Sequence, residues 1–148
     1  MRFLITSRPC ETDARKGATK PFDAALFSAY MKYNEEMAKA GVLVVAEGLN
    51  PDGFRGRVVR DGSKRSVVDG PFAEAKELLG GFYVIEVASK EEAIAWALRH
   101  PAGLGEGDAL EIRQLTELSD LEPKHQALIA EAAPTWSSAL WRAERTTA

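Results

Sequence analysis

Apolar residues recur at steps of three and four from Phe22 through Leu26, Ala29, Tyr33 and Met37 to Ala40, with Phe27 and Met31 widening the stripe. That spacing lays them along one side of an α-helix and predicts a helix that packs this side on a core. Pro21 at its first turn, Asp23 close behind and Gly41 just past its end are the start and stop residues such a helix uses. Around it the pattern changes to short β-branched or alternating runs. Residues 2–6 read as a first strand and 7–20 as a polar loop. Residues 42–46 read as a central strand that ends at Glu47.

The turn signal Gly48-Leu49-Asn50-Pro51-Asp52-Gly53 leads to residues 55–60 as a strand, which breaks at Asp61-Gly62 and returns as 65–68, a β-hairpin. This returning strand runs into Asp69-Gly70-Pro71-Phe72. A helical turn from 73 to 79 and the pair Gly80-Gly81 then precede a strand over 82–87. Ser89 with Glu92 three residues on makes a capping-box pattern for a second helix. Ala93, Ile94, Ala97 and Leu98 supply its apolar side, and Pro101 forbids continuation. After a Gly-rich loop, residues 109–115 alternate as a last strand, Leu110 and Ile112 against Glu111 and Arg113. The order β-α-β-β-α-β predicts an α+β, ferredoxin-like domain over 1–115, an antiparallel sheet with both helices on one face. Its other face needs a cover. Residues 116–148 form a helical extension, broken at Pro134. Its Leu121, Leu128, Ile129, Trp136, Leu140 and Trp141 predict docking on the domain or on a dimer partner, since burying apolar area is favourable by roughly 25 cal/mol per Å².

Composition narrows the function more than the fold. At 148 residues, 45% hydrophobic and 28% charged, the chain fits one ordinary globular domain. A net charge of −3 argues against a phosphate-tracking nucleic-acid binder. No apolar run approaches the about 18 residues of a membrane span. The single Cys10 and the absence of a leader-like N-terminus fit a reducing cytoplasm. One Cys and two His make no zinc pattern, and no phosphate-loop or dinucleotide fingerprint occurs, so neither metal nor cofactor is expected.

The segments GVLVVAEGLNP, VVRDG and VVDGPFAEAKELLGGFYVIE, with the helix end AIAWALRHP, resemble the YCII-related family, in its branch marked by a DGPF motif. The likeness spans most of residues 2–115. It implies a dimeric α+β barrel in which two sheets pack face to face, which would supply the missing cover. It also implies either a small-molecule enzyme or a regulatory protein associated with an extracytoplasmic-function sigma factor. The wider family carries a His-Asp pair as its active site, whereas neither His100 nor His125 lies near the start of the first helix in sequence, so no dyad is carried onto this chain.

Among the residues themselves, Asp69 is the leading candidate. A carboxylate at a strand end can be partly desolvated into a general acid or base, and Gly70 and Pro71 would hold it on a stiff turn. Its bland alternative is an Asp that only bonds turn amides. Glu47 at the end of its strand is the second acid–base candidate, with solvation as its alternative. Gly70, Pro71, Phe72, Gly81 and Tyr83 are the ligand-contacting candidates, and Lys76 or Arg57 could anchor a small anion. The enzyme these describe is a lyase or isomerase with one site in each subunit of a homodimer. The competing reading is a non-catalytic module that uses Trp136 and Trp141 as its contact surface. His100, at a helix carboxyl end, reads as a cap whose ring the dipole would keep protonated.

Overall fold

Asp23, rather than standing inside the first helix, closes its amino end by accepting the Leu26 N–H at 2.9 Å. Helix α1 is therefore Ala24–Lys39, one turn shorter than its apolar stripe. Gly41 follows at φ +72°, the left-handed conformation that lets the chain leave a helix without a Cβ clash. The computed structural model describes residues 1–8, 23–50, 53–70, 79–101 and 109–137. Only the second half of the α1 stripe is buried, at Tyr33 and Met37, while Leu26, Phe27 and Met31 stay exposed.

Strand β1 (Arg2–Arg8), β2 (Leu43–Gly48), β5 (Gly81–Glu86) and β6 (Ala109–Gln114) form one sheet in the order β2-β5-β1-β6. Every neighbouring pair is antiparallel. Alternation sends Phe3 and Ile5 of β1 and Ile85 of β5 to one face, where they meet Tyr33 and Met37 of α1. Helix α2 (Lys90–Leu98) adds Ala93, Trp96 and Ala97 to the same core. These are residues at steps of three and one on one helical side. The expected Ile94 and Leu98 lie off it and are exposed, because the bulk of Trp96 sets the buried side. The start of α2 follows the sequence closely. Ser89 Oγ accepts the Glu92 N–H at 3.2 Å, and the Glu92 carboxylate reaches back to the Ala88 N–H at 2.9 Å.

Strands β3 (Gly56–Asp61) and β4 (Lys64–Asp69) pair only with each other among the described residues, in register from Gly56 opposite Asp69 to Asp61 opposite Lys64. The hairpin is thus an excursion between β2 and β5, and those two supply the second and third strands of the ferredoxin-like core. Chain contacts divide the protein into Met1–Leu115 and Thr116–Ala148. The second unit holds a short 3₁₀ turn at Leu118–Asp120 and helix α3 (Pro123–Ala132), and the chain is helical again at 134–137. Trp136 is 57% exposed in the single chain, and Trp141 lies outside the described residues. No helix among the described residues is long and apolar enough to cross a membrane.

Candidate functional site

Residues at i, i+3, i+4 and i+7 of a helix share one side, and in α1 that set is Phe27, Tyr30, Met31 and Asn34. They form one wall of a cavity of about 460 Å³, within the range of small-molecule pockets. The facing wall comes from the sheet where β2 ends and β5 begins, at Ala46 to Gly48 and Gly80 to Tyr83, with Ser7 of β1. His100, two residues past the end of α2, completes it. Glycine is required at position 81, because a Cβ there would lie 2.8 Å from the Glu47 carbonyl oxygen. The two strands close tightly at the mouth for that reason.

The His100 ring sits among three tyrosines, all edge-on. Its centroid is 5.3 Å from that of Tyr30, 5.6 Å from Tyr33 and 5.5 Å from Tyr83. Tyr33 is anchored beneath, its hydroxyl donating to the Trp96 carbonyl at 2.8 Å. The aromatic walls desolvate the titratable groups. Burial, with Tyr83 nearby, pushes the Tyr33 hydroxyl up to about 12, partly offset by Arg99. Burial, with Tyr30 nearby, pushes Tyr83 up to about 12 as well, and burial raises Tyr30. All three are O–H donors at neutral pH. Burial lowers His100 below its ordinary 6.5, which favours the neutral ring. Burial therefore works against the protonated cap that the helix end alone would favour.

A lowered histidine has a consequence for stability. On acidification below 6.5 the unfolded chain protonates this ring before the native state does. Stability then rises with pH across the window from the lowered native value up to 6.5, and is lost as pH falls through that window. Urea midpoints measured down this range should fall in the native chain and flatten in His100→Gln. Identical profiles in the two chains would show that the ring is not desolvated.

The structure sorts the sequence candidates into three groups. Glu47, Gly81 and Tyr83 come together at the cavity. Glu47 pairs with Phe82, and Ala46 with Tyr83, so alternation turns Tyr83 toward α1 and sends the exposed Glu47 to the opposite side of the strand end. Asp69, Gly70 and Arg57 belong to the hairpin and are not among the residues lining the cavity. Asp69 is exposed as the last residue of β4, and the Gly70 N–H donates to the Arg55 carbonyl at 2.8 Å, extending the ladder. Pro71, Phe72 and Lys76 lie outside the described residues. The sequence reading passed over Tyr30 and Asn34, and set His100 aside as a helix cap. The signal for the first two was their place with Phe27 and Met31 on one side of α1. His100 offered no local signal, since its tyrosine neighbours are distant in sequence. Among the described residues no cluster of His, Cys, Asp and Glu could hold a metal ion.

A four-stranded antiparallel sheet with two helices on one face and a ligand-sized aromatic hollow between α1 and the sheet defines a ferredoxin-like α+β protein. The chain belongs to the YCII-related family, whose domain model matches residues 1–119. Uncharacterized protein R00369 of Rhizobium meliloti (strain 1021) is 33% identical over 87 residues, a match covering 51% of this chain and 70% of that protein. Among solved structures, 5-chloro-2-hydroxyhydroquinone dehydrochlorinase (TftG) from Burkholderia phenoliruptrix AC1100, in complex with 2,5-dihydroxybenzoquinone, matches with a TM-score of 0.42. Its sequence identity is 16%, over 82% of this chain and 100% of that one.

Proposed function

We propose that the cavity is a small-molecule site for acid–base chemistry of the lyase or isomerase kind, with His100 as proton acceptor and Tyr83 and Tyr30 as hydrogen-bond donors. The carrying observation is an imidazole enclosed by tyrosine rings on the wall of a ligand-sized hollow. His100 would take a proton from a carbon or hydroxyl of the ligand. The hydroxyls of Tyr83 and Tyr30, which stay protonated, would stabilise the negative charge left on a ligand oxygen. Returning the proton to another atom completes an isomerisation, and delivering it to a departing group completes an elimination. Glu47, exposed at the end of β2, faces solvent rather than a buried ligand. In a homodimer each subunit would keep its own hollow. A partner would cover the sheet face of Leu4, Val45 and Val84, which the register places together and away from the helices.

Two imidazoles make the test direct, because the chain has only His100 and His125 and the second is exposed on α3. A compound found by thermal shift in a metabolite screen raises apparent stability by binding the native state. Titrated into the full chain, it should displace the NMR signals of His100 and leave those of His125 in place. A stabilising compound that moves neither signal, or His125 alone, would refute the site.

A further inference from the structure

Glycine weakens a strand, since it gives up the most chain entropy on folding and offers no side chain to pack, so a strand glycine calls for a reason. Two of them pair where the cavity opens, Gly48 at the end of β2 and Gly81 at the start of β5. Gly81 has its reason in the Glu47 carbonyl oxygen, which a Cβ would crowd. Gly48 has none of that kind. Its φ is not positive, and among the described residues nothing lies within 4 Å of where its Cβ would stand. Backbone and neighbours would therefore accept a side chain. The pleat says where that open space lies. Ala46 pairs with Tyr83 and Gly48 with Gly81, so positions 46 and 48 share the side of the sheet on which Tyr83 turns toward α1 and the hollow. Gly48 is itself exposed and lines the cavity, so a molecule bound there can touch it.

The hollow is also larger than one ring needs. A cavity of about 150 Å³ is enough to hold benzene, and this one measures about 460 Å³. Phe27, Tyr30, Tyr83 and His100 bring rings to its walls, and rings favour flat partners. We propose, resting on the reading of the cavity as a small-molecule site, that Gly48 is a specificity-determining residue whose missing side chain leaves room for a planar ligand broader than a single ring. A side chain at this position would stand in the space that the ligand's far edge takes up, and would restrict the hollow to smaller molecules. The position is bare for the ligand and not for the fold.

Gly48→Ala and Gly48→Val test this, each full chain being titrated with phenol and with 2-naphthol while the His100 and His125 NMR signals serve as the readout. Both substitutions should leave the urea midpoint unchanged or raise it, because Gly has the most chain entropy to lose and Val suits a strand. In the native chain both probes should move His100, 2-naphthol at the lower concentration. In Gly48→Val, binding of 2-naphthol should weaken at least about tenfold relative to phenol, the discrimination that a methylene or more gives in an apolar pocket. Gly48→Ala should fall in between. A midpoint that drops in Gly48→Ala would overturn the proposal, because the glycine would then serve packing. Phenol binding the native chain as tightly as 2-naphthol would overturn it too. If neither probe moves His100 in the native chain, the site reading itself falls and this inference with it. If both move it and neither substitution changes their ratio, only the role of Gly48 falls.

Discussion

Replacing His100 by Gln is expected to slow turnover of the cognate ligand by about 10²- to 10⁴-fold, the usual contribution of a positioned general base. Gln keeps a polar side chain of similar reach but cannot take up a proton in this pH range. The ring makes edge contacts with Tyr30, Tyr33 and Tyr83, so circular dichroism and the urea midpoint must accompany the kinetics. A fold retained with the rate lost is the expected result. Binding by thermal shift should survive better than turnover, which separates proton transfer from simple occupancy. A chain that binds its ligand and converts nothing even before substitution would be a binding module. Asp69→Asn belongs in the same assay, because a rate lost there and kept in His100→Gln would return the proton-transfer role to the hairpin.

The largest stability effect is expected at Ile85. This residue is 0% exposed in β5, opposite Phe3 of β1 and Leu43 of β2. It therefore joins the two inner seams of the sheet and lies in the core with Tyr33, Met37 and Trp96. Ile85→Ala removes three carbons from a site the backbone cannot close around, and should cost about 2–5 kcal/mol in a urea unfolding measurement. Against a usual total of about 5–15 kcal/mol, that loss brings the protein close to its unfolding threshold at ambient temperature. A change below about 1 kcal/mol would mean that the two helices do not seal this face in solution, since a packed site gives the larger cost.

Much of the fold could be read along the chain because its signals are local. The three-four spacing of α1, Ser89 and Glu92 at the start of α2 and the alternation over 109–115 each need only near neighbours. Where tertiary context decides, the reading failed. Ile94 and Leu98 read as buried because they are aliphatic at helical spacing, yet Trp96 faces the core and leaves them outside. The two halves of the α1 stripe are chemically alike, and only Tyr33 and Met37 find a sheet beneath them. The candidate site was legible from its strand side. Glu47, Gly81 and Tyr83 stood out as residues at the ends of apolar runs, and register brings those ends together. Asp69 attracted attention for the stiffness of its turn, but stiffness does not say which sheet holds the residue, and Asp69 closes the second strand of the hairpin. His100 was hidden because burial by residues far away in sequence opposes what its own helix end would dictate.

The exposed first turns of α1 carry a mechanical implication. Tyr33 and Met37 clamp the helix at its carboxyl half, while Phe27 and Met31 lie beyond the clamp at the hollow. A rod fixed at one end is a cantilever. Small rotations about the clamp translate into larger displacements of Phe27 than of Asn34, which sits next to the pivot. A ligand's thickness would thus be met by movement at the Phe27 end, while the Tyr33 and His100 rings, in contact at the clamp, keep their spacing.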